Sequence, residues 1–513
     1  MKTPQTDLLI IGAGPVGLCC AYLANLCGLS TIIVDQSAEP LQVGRADALN
    51  ARSLQLLEIV DLFSSLYPLG KTCNTSSIFS RGKFISRQSS WWEALSGCLH
   101  PHFLMLGQAY LEQLLDQRLN SLGCPVRRDS QITHVARNST GCITRLHNGE
   151  HIHSTYLIGA DGARSLVRQQ FNIGFTIEKP EITWAVIDGV IDTDFPKVPE
   201  IIVFQNDTAD VAWIPREAEI DRFYIRIDNL VIDEPNIIKK IEQALAPYRF
   251  SFKEIIWSSR FSVKESVADR FAIKQRVFLA GDACHIHSVN GGQGLNTGLA
   301  DAFNLIWKIY LVHHHGFPSA LLQTYEQERQ PIAHSVIETS GKLVRATKFS
   351  EHDSHANDYV NLIATHAGNI TGMGIRYSQT GLVGTRLFDM ILQTRCGAVR
   401  LYSLLNYTRY TLLIFSDHPP NVEVPRYVKV IQISSAETAT GDYWSQQNDY
   451  TELALLVRPD SYIAAVSPSH AVSHLVESQL CNAAQQNYGA DQRHCGGTGI
   501  CCRYRICHWH HQL

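Results

Sequence analysis

One glycine-rich turn constrains this chain more than any other feature of its 513 residues. The motif Gly12-Ala13-Gly14-Pro15-Val16-Gly17 follows a short β-type run, Leu8 to Ile11, and opens a segment whose apolar residues recur at helical spacing. Glycine lets the backbone approach a pyrophosphate closely, and the helix N-terminus offers unpaired N–H groups. The next β-branched run ends at Asp35, where a carboxylate can accept hydrogen bonds from an adenosine ribose. This arrangement predicts a parallel sheet that binds a dinucleotide at its edge.

The same segment has the length of a membrane span, because residues 8–29 carry no charge. Glycines and a proline interrupt it, however, and its two halves have different periods, so we expect no membrane contact. The 44 Lys+Arg against 48 Asp+Glu give a net charge of −4, which provides no basic field for nucleic acid. The cysteines of the first 396 residues are scattered and no signal peptide precedes them, so we expect reduced thiols and a cytoplasmic protein.

Two further motifs also combine a strand, a turn and a helix. Residues 156–165, with Asp161 in an Asp-Gly turn, form an arrangement that is common in unrelated proteins. The run from Arg276 to His285 delivers Asp282 at the C-terminal edge of a strand, where open α/β sheets bind ligands. The glycines of residues 291–298 then open another helix. The sequence therefore predicts two helix N-termini that face one cofactor.

The rest of the chain divides by the style of its secondary structure. Residues 60–105 and 181–261 lack regular alternation and carry short β-like runs, such as Arg222 to Ile227, which predicts an inserted lobe. We therefore expect four parts: a discontinuous first domain of residues 1–180 and 262–365, the inserted lobe, a C-terminal domain of residues 366–470 and a tail of residues 471–513.

The three motifs, in this order and spacing, resemble those of the FAD-dependent aromatic hydroxylases, the single-component flavoprotein monooxygenases, and most closely the phenol 2-monooxygenase branch. Five shorter segments carry the resemblance further: residues 44–52, 184–188, 193–196, 214–217 and 455–460. The resemblance covers about residues 5–465. It implies an α/β fold in which a Rossmann-like FAD-binding domain carries an inserted mixed β-sheet substrate domain and is followed by a thioredoxin-like domain.

The resemblance also implies FAD as cofactor, NADPH or NADH as electron donor and O₂ as oxidant. Since the sequence holds one dinucleotide fold, the nicotinamide is expected to dock transiently in a surface groove. Asp161 and Arg164 match a family motif associated with both FAD and NAD(P)H. The residues that the resemblance assigns to FAD are Gly12, Ala13, Gly14, Pro15, Val16, Gly17, Asp35 and Gln36 for the ADP half, Gly44, Arg45 and Gln108 for the flavin side, Asp161, Asp282 for the ribityl chain, and Gly292, Gln293, Gly294, Leu295 and Asn296 beside the ring.

The implied reaction is hydroxylation of a small phenolic substrate, in which a flavin hydroperoxide delivers one oxygen atom to the ring. Asp47 matches an active-site aspartate of phenol hydroxylases and would act as a base; an equally good interpretation is that it caps a helix from Leu49 to Glu58. Phe261 aligns with a family tyrosine thought to contact the phenol, so the hydroxyl of that tyrosine is missing here. An equally good interpretation is that Phe261 belongs to the core of a strand. Val289 and Asn290 stand where the family has a proline.

These departures concern the substrate and leave other functions open. A larger, polyketide-derived phenol fits equally well, as do epoxidation and Baeyer–Villiger insertion, whereas the lysine-and-tryptophan signature of halogenases is missing. A flavin-binding protein that no longer hydroxylates is the alternative from another class.

We expect no metal site. His285 and His287 fit loop contacts, and the cysteines and histidines of the tail lack paired Cys-x-x-Cys spacing. The C-terminal domain has no Cys-x-x-Cys where a working thioredoxin carries it, at residues 416–420, so we expect a structural role in support of a homodimer contact.

Overall fold

The structure is a computed structural model. It describes residues 5–89, 92, 95, 98–177, 182–205, 210–227, 232–263, 265–287, 292–346, 361–378, 381–394, 397–434, 438–441 and 450–481. The predictions made for Val289, Asn290 and the Cys/His-rich tail lie outside these residues. The chain divides into two compact units, Met1–Lys308 with Leu322–Ile375, and Ile309–Leu321 with Arg376–Leu513.

The strands and helices of the first unit are numbered in chain order. The strands are β1 (Gln5–Ile11), β2 (Thr31–Val34), β3 (Ala48–Leu49), β4 (Lys71–Cys73), β5 (Ser76–Ser80), β6 (Lys83–Gln88), β7 (Phe103–Met105), β8 (Ile132–Arg137), β9 (Cys142–Leu146), β10 (His151–Gly159), β11 (Phe175–Ile177), β12 (Ile182–Thr193), β13 (Ile201–Gln205), β14 (Asp210–Pro215), β15 (Asp221–Ile227), β16 (Phe250–Val263), β17 (Ser266–Ala268), β18 (Ala272–Ile273), β19 (Val277–Leu279) and β20 (His285–Ile286). The helices are α1 (Pro15–Leu26), α2 (Ala51–Ile59), α3 (Phe63–Leu66), α4 (Gln108–Ser121), α5 (Leu166–Gln170), α6 (Glu234–Leu245), α7 (Gln293–His315, which ends in the second unit), α8 (Ala320–Ala346, which begins there) and α9 (Ala367–Ile370).

The first sheet confirms the parallel arrangement that the glycine-rich turn predicts. Its strand order is β18-β19-β10-β1-β2, and β2, β1, β10 and β19 run parallel to one another. Ile10 pairs with both Ile158 and Ile33 in the middle of the sheet, and all three side chains are buried. An interior buried on both faces explains why these strands are continuous apolar runs without polar alternation.

A second, seven-stranded sheet has the order β16-β12-β15-β14-β13-β5-β6. It combines strands from both sequence segments for which an inserted lobe is predicted; the exact domain limits stay a prediction. One face is covered by α6, whose Ile237 and Ile241 pack on Ile187, Phe223 and Ile225. Since successive residues of a strand point to opposite faces, the residues between these belong to the other face.

The second unit contains two smaller sheets, β22-β21-β25 and β24-β23-β26-β27. Its strands are β21 (Met390–Thr394), β22 (Gly397–Arg400), β23 (Tyr410–Phe415), β24 (Val428–Ile433), β25 (Thr438–Gly441), β26 (Leu453–Val457) and β27 (Ile463–Pro468), and its one further α-helix within the described residues is α10 (Val472–Val476). After β23, the Ser416 hydroxyl donates to the carboxylate of Glu452 at 2.8 Å. The thioredoxin-like assignment stays a prediction.

The described cysteines of the first unit are buried and none forms a disulfide: Cys19, Cys20, Cys27, Cys73, Cys98, Cys124, Cys142 and Cys284. Burial raises the pKa of the Cys73 thiol to about 11, so it is protonated at neutral pH. Among the described helices, none combines the length and the apolar character that a bilayer crossing requires.

Candidate functional site

The glycine-rich turn after β1 packs too closely for side chains at two of its glycines. Gly12 has φ +103°, and a Cβ there would lie 2.3 Å from the Ala160 oxygen. A Cβ on Gly17 would lie 1.8 Å from the Gly12 oxygen. Gly14, by contrast, would meet nothing within 4 Å, and no side chain caps the helix that begins at Pro15. The first turn of α1 therefore presents its N–H groups to open space, as a bound pyrophosphate requires.

The three motifs, far apart in the sequence, meet around this turn. Ala160, in the second motif, restricts Gly12 as described above. Gly281 and Gly298, in the third motif, pack against the Val16 side chain. A Cβ atom on Gly281 would lie 2.9 Å from it, and one on Gly298 would lie 2.5 Å from it. The structure therefore brings together the residues that sequence reasoning assigned to one cofactor.

Asp35 lies at the end of β2 and already orders the loops beside the turn. Its Oδ2 accepts a hydrogen bond from the Ala13 N–H at 2.6 Å, and its Oδ1 accepts one from the Ser37 N–H at 2.7 Å. The neighbouring Gln36 is exposed. A half-buried carboxylate in this position fits the ribose contact that is predicted for it.

Asp161 caps the short helix α5. Its Oδ2 accepts hydrogen bonds from the N–H groups of Leu166 at 2.7 Å and Val167 at 3.1 Å. Its Oδ1 is buried and has no hydrogen-bond partner among the described residues, and desolvation of the carboxyl raises its pKa. The predicted role of Asp161 toward FAD stays a prediction, to which the structure adds a capping role.

Asp282 and the start of α7 form the other side of the same region. Asp282 lies in the single turn Gly281–Ala283 that follows β19, and it is exposed. Gln293 begins α7, is 2 % exposed, and its Nε2 has no partner among the described residues. Leu295 is buried, and a Cβ on Gly294 would have ordinary contact distances only.

Asn296 fastens the start of α7 to the segment around α2. Its Oδ1 accepts from the Asn50 N–H at 2.9 Å and from the Ser53 hydroxyl at 2.7 Å. Its Nδ2 donates to the oxygens of Ala48 at 3.0 Å and Gly292 at 2.7 Å. All the polar atoms of this side chain are engaged with protein, so Asn296 positions backbone and leaves no side-chain donor for a cofactor.

The open space at Gly14, the orphaned amide of Gln293 and the exposed carboxylate of Asp282 together suit an extended dinucleotide. FAD needs hydrogen-bond acceptors for its ribityl and ribose hydroxyls and free N–H groups for its pyrophosphate. The residues therefore fit FAD.

The loop from Gly44 to Asp47 carries residues that are predicted to contact the flavin side of FAD. Gly44 and Arg45 have φ of +84° and +66°, and a Cβ on Gly44 would meet the Trp257 indole at 2.5 Å. Gln108, at the start of α4, holds the loop: its Oε1 accepts from the Ala46 N–H at 3.3 Å. Only glycine fits beside the indole, which fixes the path of the loop.

Asp47 ends this loop and is 6 % exposed. Its Oδ2 accepts a hydrogen bond from the Tyr224 hydroxyl at 3.2 Å and faces the Arg222 guanidinium at 3.4 Å. The capping interpretation of Asp47 is wrong, because α2 begins at Ala51 and the Asn50 side chain caps it by accepting from the Ser53 N–H. Asp47 is thus left with Oδ1 free of partners among the described residues.

A buried ion-pair network supports Asp47. Arg222 makes two hydrogen bonds to Asp188, both of 2.6 Å, and a third to the Arg45 oxygen. Asp188 also accepts from Arg216 at 3.2 Å. Burial raises the pKa of Tyr224, so its hydroxyl stays protonated and can donate.

Arg216 extends the network to the start of α4. It donates to both oxygens of Glu217, at 2.9 and 2.6 Å. Glu217 in turn accepts from the Gly107 N–H at 3.0 Å. The Ile-Pro-Arg-Glu segment of the sequence is therefore the link between the large sheet and the loop that carries Gln108.

Apolar side chains lie around Tyr224 and Asp47 on the face of the large sheet opposite α6. Trp184, Val186 and Tyr224 form one cluster, with Trp257 and Phe261 packed against it. A second cluster, which shares Ile214 with the first, contains Ala48, Trp92, Phe103 and Met105. An aromatic ring bound here would be largely removed from water.

Phe261 lies opposite Trp184 in the β12–β16 pair and is partly buried. Its predicted contact with substrate stays a prediction. Position 261 carries no hydroxyl, but Tyr224 places one directly beside Asp47.

Sequence reasoning missed Tyr224, Arg222 and Asp188. The run Arg222 to Ile227 was identified as a strand, and its alternation of Arg222, Tyr224 and Arg226 with apolar residues is the signal that could have found them. Polar and aromatic residues at every second position of a strand indicate a face turned toward a ligand or solvent.

Comparison with known proteins agrees with this geometry. Residues 5–340 match the FAD binding domain family, and residues 380–490 match the family described as aromatic-ring hydroxylase, C-terminal. The phenol 2-monooxygenase fsqG of Aspergillus fumigatus is 30 % identical over 449 residues, which cover 80 % of this chain and 76 % of that protein.

A curated relative and a solved structure from Streptomyces rimosus are also similar. The 12-dehydrotetracycline 5-monooxygenase/anhydrotetracycline 6-monooxygenase is 30 % identical over 487 residues, covering 89 % of this chain and 94 % of that protein. The solved structure of the anhydrotetracycline hydroxylase OxyS has a TM-score of 0.76 at 26 % identity and covers 92 % of this chain and 99 % of its own. The chain therefore belongs to the FAD-dependent aromatic monooxygenases.

Proposed function

We propose that this enzyme hydroxylates a phenolic ring, with NADPH or NADH as electron donor and O₂ as oxidant. The observation that carries the proposal is the pair formed by Asp47 and the Tyr224 hydroxyl, in a nearly water-free site beside the FAD motifs. When bound, FAD supplies the redox chemistry, since it accepts a hydride and activates O₂.

Asp47 is the base of this proposal. Its Oδ2 is held by Tyr224 and Arg222, which leaves Oδ1 to accept the proton of the substrate hydroxyl. Removing this proton makes the ring more electron-rich at the ortho and para carbons, which is what attack by an electrophilic oxygen requires. The buried Arg222 guanidinium lies 3.4 Å from Asp47 Oδ2 and holds the carboxylate in this orientation.

Tyr224 orients the substrate. The Tyr224 hydroxyl donates its single proton to Asp47 and accepts from Arg222 at 3.2 Å, which leaves one lone pair to accept a hydrogen bond from a phenolic hydroxyl placed next to it. Because burial raises the pKa of Tyr224, the hydroxyl remains a neutral donor over the pH range of catalysis. The apolar clusters around Trp184 and Phe103 exclude water and hold the ring.

A larger, polyketide-type phenol is a second candidate substrate. It is supported by the tetracycline monooxygenase, which matches 89 % of this chain at the same identity as the phenol 2-monooxygenase. The same base and hydroxyl would serve either substrate.

One experiment tests the proposed function. The purified protein is assayed for bound FAD, and NADPH and NADH oxidation is followed with simple phenols and with tetracyclic phenols, with products identified by mass. We expect one added oxygen atom in a product and substrate-stimulated oxidation of one nicotinamide. FAD-loaded protein that no phenol stimulates would contradict the proposal and favour a flavin-binding protein without hydroxylase activity.

A further inference from the structure

Glu112 is a buried carboxylate beside the residues assigned to FAD. It lies on α4, one helical turn after Gln108, and is 3 % exposed. Its Oε1 accepts a hydrogen bond from the Gln108 Nε2 at 2.7 Å, which is its only hydrogen bond in the described part of the chain. No lysine, arginine or histidine of that part comes within 4.0 Å of the carboxylate. A glutamate so far removed from water is normally paired, so this one calls for an explanation.

Charged groups from three other segments face Glu112. Arg45, on the loop before β3, and Arg128, on the loop before β8, both act on its charge, and so does Asp35 at the end of β2. Arg128 is itself engaged with Asp116 of α4 at 3.6 Å. The helix α1, which packs on α4, carries no charged residue. Glu112 therefore lies near two cations and one anion, and it forms an ion pair with neither cation.

These surroundings favour the protonated form of Glu112. Desolvation raises its pKa, the hydrogen bond from Gln108 and the charge of Arg128 oppose this rise, and the net result is a pKa above the ordinary value. Protonation also changes what the side chain can bind. A neutral glutamic acid donates a hydrogen bond through its O–H group, whereas the ionised carboxylate only accepts.

A bound dinucleotide adds negative charge to this region. Arg45 acts on the charge of Asp282 as well as on that of Glu112, so its guanidinium is near both carboxyl groups. The predicted path of FAD runs from Asp35 past Arg45 to Asp282, and its pyrophosphate is anionic. A further anion near a buried carboxylate disfavours the ionised form and raises the pKa again.

We propose that Glu112 takes up a proton from solvent when FAD binds, and that it meets the cofactor as a neutral hydrogen-bond donor. The proton adds to Oε2, while Oε1 continues to accept from Gln108. No bond of FAD forms or breaks in this step. The inference rests on the placement of FAD along the three motifs and is independent of the substrate that the enzyme hydroxylates.

Proton uptake makes the affinity for FAD dependent on pH. Below the pKa of Glu112 in the free protein, both states are protonated and FAD binds most tightly. Between this pKa and the higher pKa in the complex, the Kd rises by up to about tenfold per pH unit, because one proton is bound with each FAD. Above the higher pKa, the Kd is constant again and the binding is weakest.

The test titrates the apoprotein with FAD in a calorimeter, from about pH 5 to 8, in two buffers that differ in their ionisation enthalpy. The difference between the two heats of binding counts the protons taken up. For the unchanged protein we expect an uptake that reaches up to about one proton per FAD. Glu112→Gln keeps the acceptor for Gln108 but cannot titrate, so it should bind FAD without proton uptake and with the same Kd across this range.

Three further variants separate Glu112 from its neighbours. Asp35→Asn and Asp282→Asn should weaken FAD binding at every pH and retain the proton uptake. Glu150→Gln removes a partly exposed partner of Arg127 and should change neither the Kd nor the uptake. An uptake that persists in Glu112→Gln and is lost in Asp35→Asn or Asp282→Asn would assign the proton to that aspartate and overturn the inference.

A second measurement needs no apoprotein. Infrared difference spectra between the FAD-loaded enzyme and FAD-loaded Glu112→Gln are recorded at about pH 6, above the ordinary pKa of glutamic acid of about 4.3. We expect the C=O stretch of a protonated carboxylic acid in the unchanged enzyme alone. Absence of this band, or FAD binding without proton uptake at any pH, would also overturn the inference. Neither measurement involves a phenol or turnover, so a failure of the proposed hydroxylation leaves both results readable.

Discussion

At the scale of single residues, the two carboxylate oxygens of Asp47 differ in their partners. One carboxylate oxygen faces the Tyr224 hydroxyl and the Arg222 guanidinium, while the other has no partner among the described residues. A purely structural aspartate would be expected to use both oxygens once it is buried. The free oxygen makes Asp47 the strongest candidate for a proton acceptor in the described part of the site.

Asp47→Asn should therefore depress turnover while FAD remains bound. Loss of a general base costs about 10²- to 10⁴-fold in rate. The deficit should shrink as the pH is raised toward about 10, the ordinary pKa of a phenol, because the substrate then arrives already ionised. The measurement is kcat against pH for both proteins, with the FAD content determined by absorbance.

Asp129→Asn, which changes an exposed aspartate, serves as the matched control and should turn over normally. Undiminished turnover by Asp47→Asn, or a deficit that is the same at every pH, would remove Asp47 from the role of base.

The residues of the site differ in how far the sequence reveals them. The turn at Gly12 to Gly17 and the carboxylate of Asp35 are visible because their signal is local, a few residues on either side. Tyr224 lies 177 residues from Asp47, and nothing local indicates that they meet. Their contact depends on the register of a seven-stranded sheet, which periodicity alone does not determine.

At the scale of elements, a buried aspartate joins α7, α8 and the turn that carries Asp282. Asp301 accepts hydrogen bonds from His285 at 2.7 Å, from Arg329 at 2.7 Å and from the Gly281 N–H at 3.1 Å. Burial alone would raise the pKa of Asp301, but the charges and hydrogen bonds of His285 and Arg329 outweigh it and hold the pKa below its ordinary value.

Asp301→Asn should lower the free energy of unfolding by about 3 kcal/mol at pH 7, because it leaves a buried Arg329 without its counter-charge. A carboxyl whose pKa is lower in the folded state stabilises the protein above its unfolded pKa of about 3.9, and this contribution is lost as the pH falls below that value. The difference between the two proteins should thus shrink as the pH falls below about 4. Urea unfolding at a series of pH values measures it.

Glu338→Gln, on the same helix α8, is the control. Its ion pair with Lys342 is on the surface and Glu338 is 66 % exposed, so its loss should cost no more than about 0.5 kcal/mol. An effect of similar size for both variants would contradict the role assigned to Asp301.

Element boundaries show the same division between local and distant information. A helix after Asp47 is visible in the sequence, but its start is displaced from Leu49 to Ala51. The displacement has a physical cause: Asn50 both caps the helix and receives support from Asn296, a residue of the distant α7. The contact with Asn296 explains why Asn50, and not Asp47, caps the helix.

At the scale of the whole molecule, the residues assigned to FAD come from many parts of the first unit. They include the turn at Gly14, the carboxylate of Asp35, the loop at Arg45, the turn at Asp282 and the start of α7 at Gln293. A ligand that contacts so many segments binds the folded state alone, because no partly folded chain assembles them.

Removal of FAD should accordingly lower the resistance to urea. A ligand at a free concentration of 100 times its Kd stabilises the native state by about 2.7 kcal/mol. The urea midpoint of the apoprotein should rise steadily as FAD is added, whereas riboflavin, which lacks the ADP half, should produce a much smaller shift. An unfolding midpoint that does not respond to FAD would contradict the assignment of these segments to one site.

The two faces of the large sheet have a consequence for how such an enzyme can diversify. Alternate residues of β15 lie on opposite faces: Phe223 and Ile225 pack in the core beneath α6, while Tyr224 and Arg226 lie on the other face, where Tyr224 contacts Asp47. Substitutions at every second position of this strand can therefore change one face of the sheet and leave the core face unchanged. Libraries randomised at positions 184, 226 and 261 should yield many folded, FAD-loaded variants with new selectivities, and libraries at positions 185, 223 and 225 should yield few folded ones.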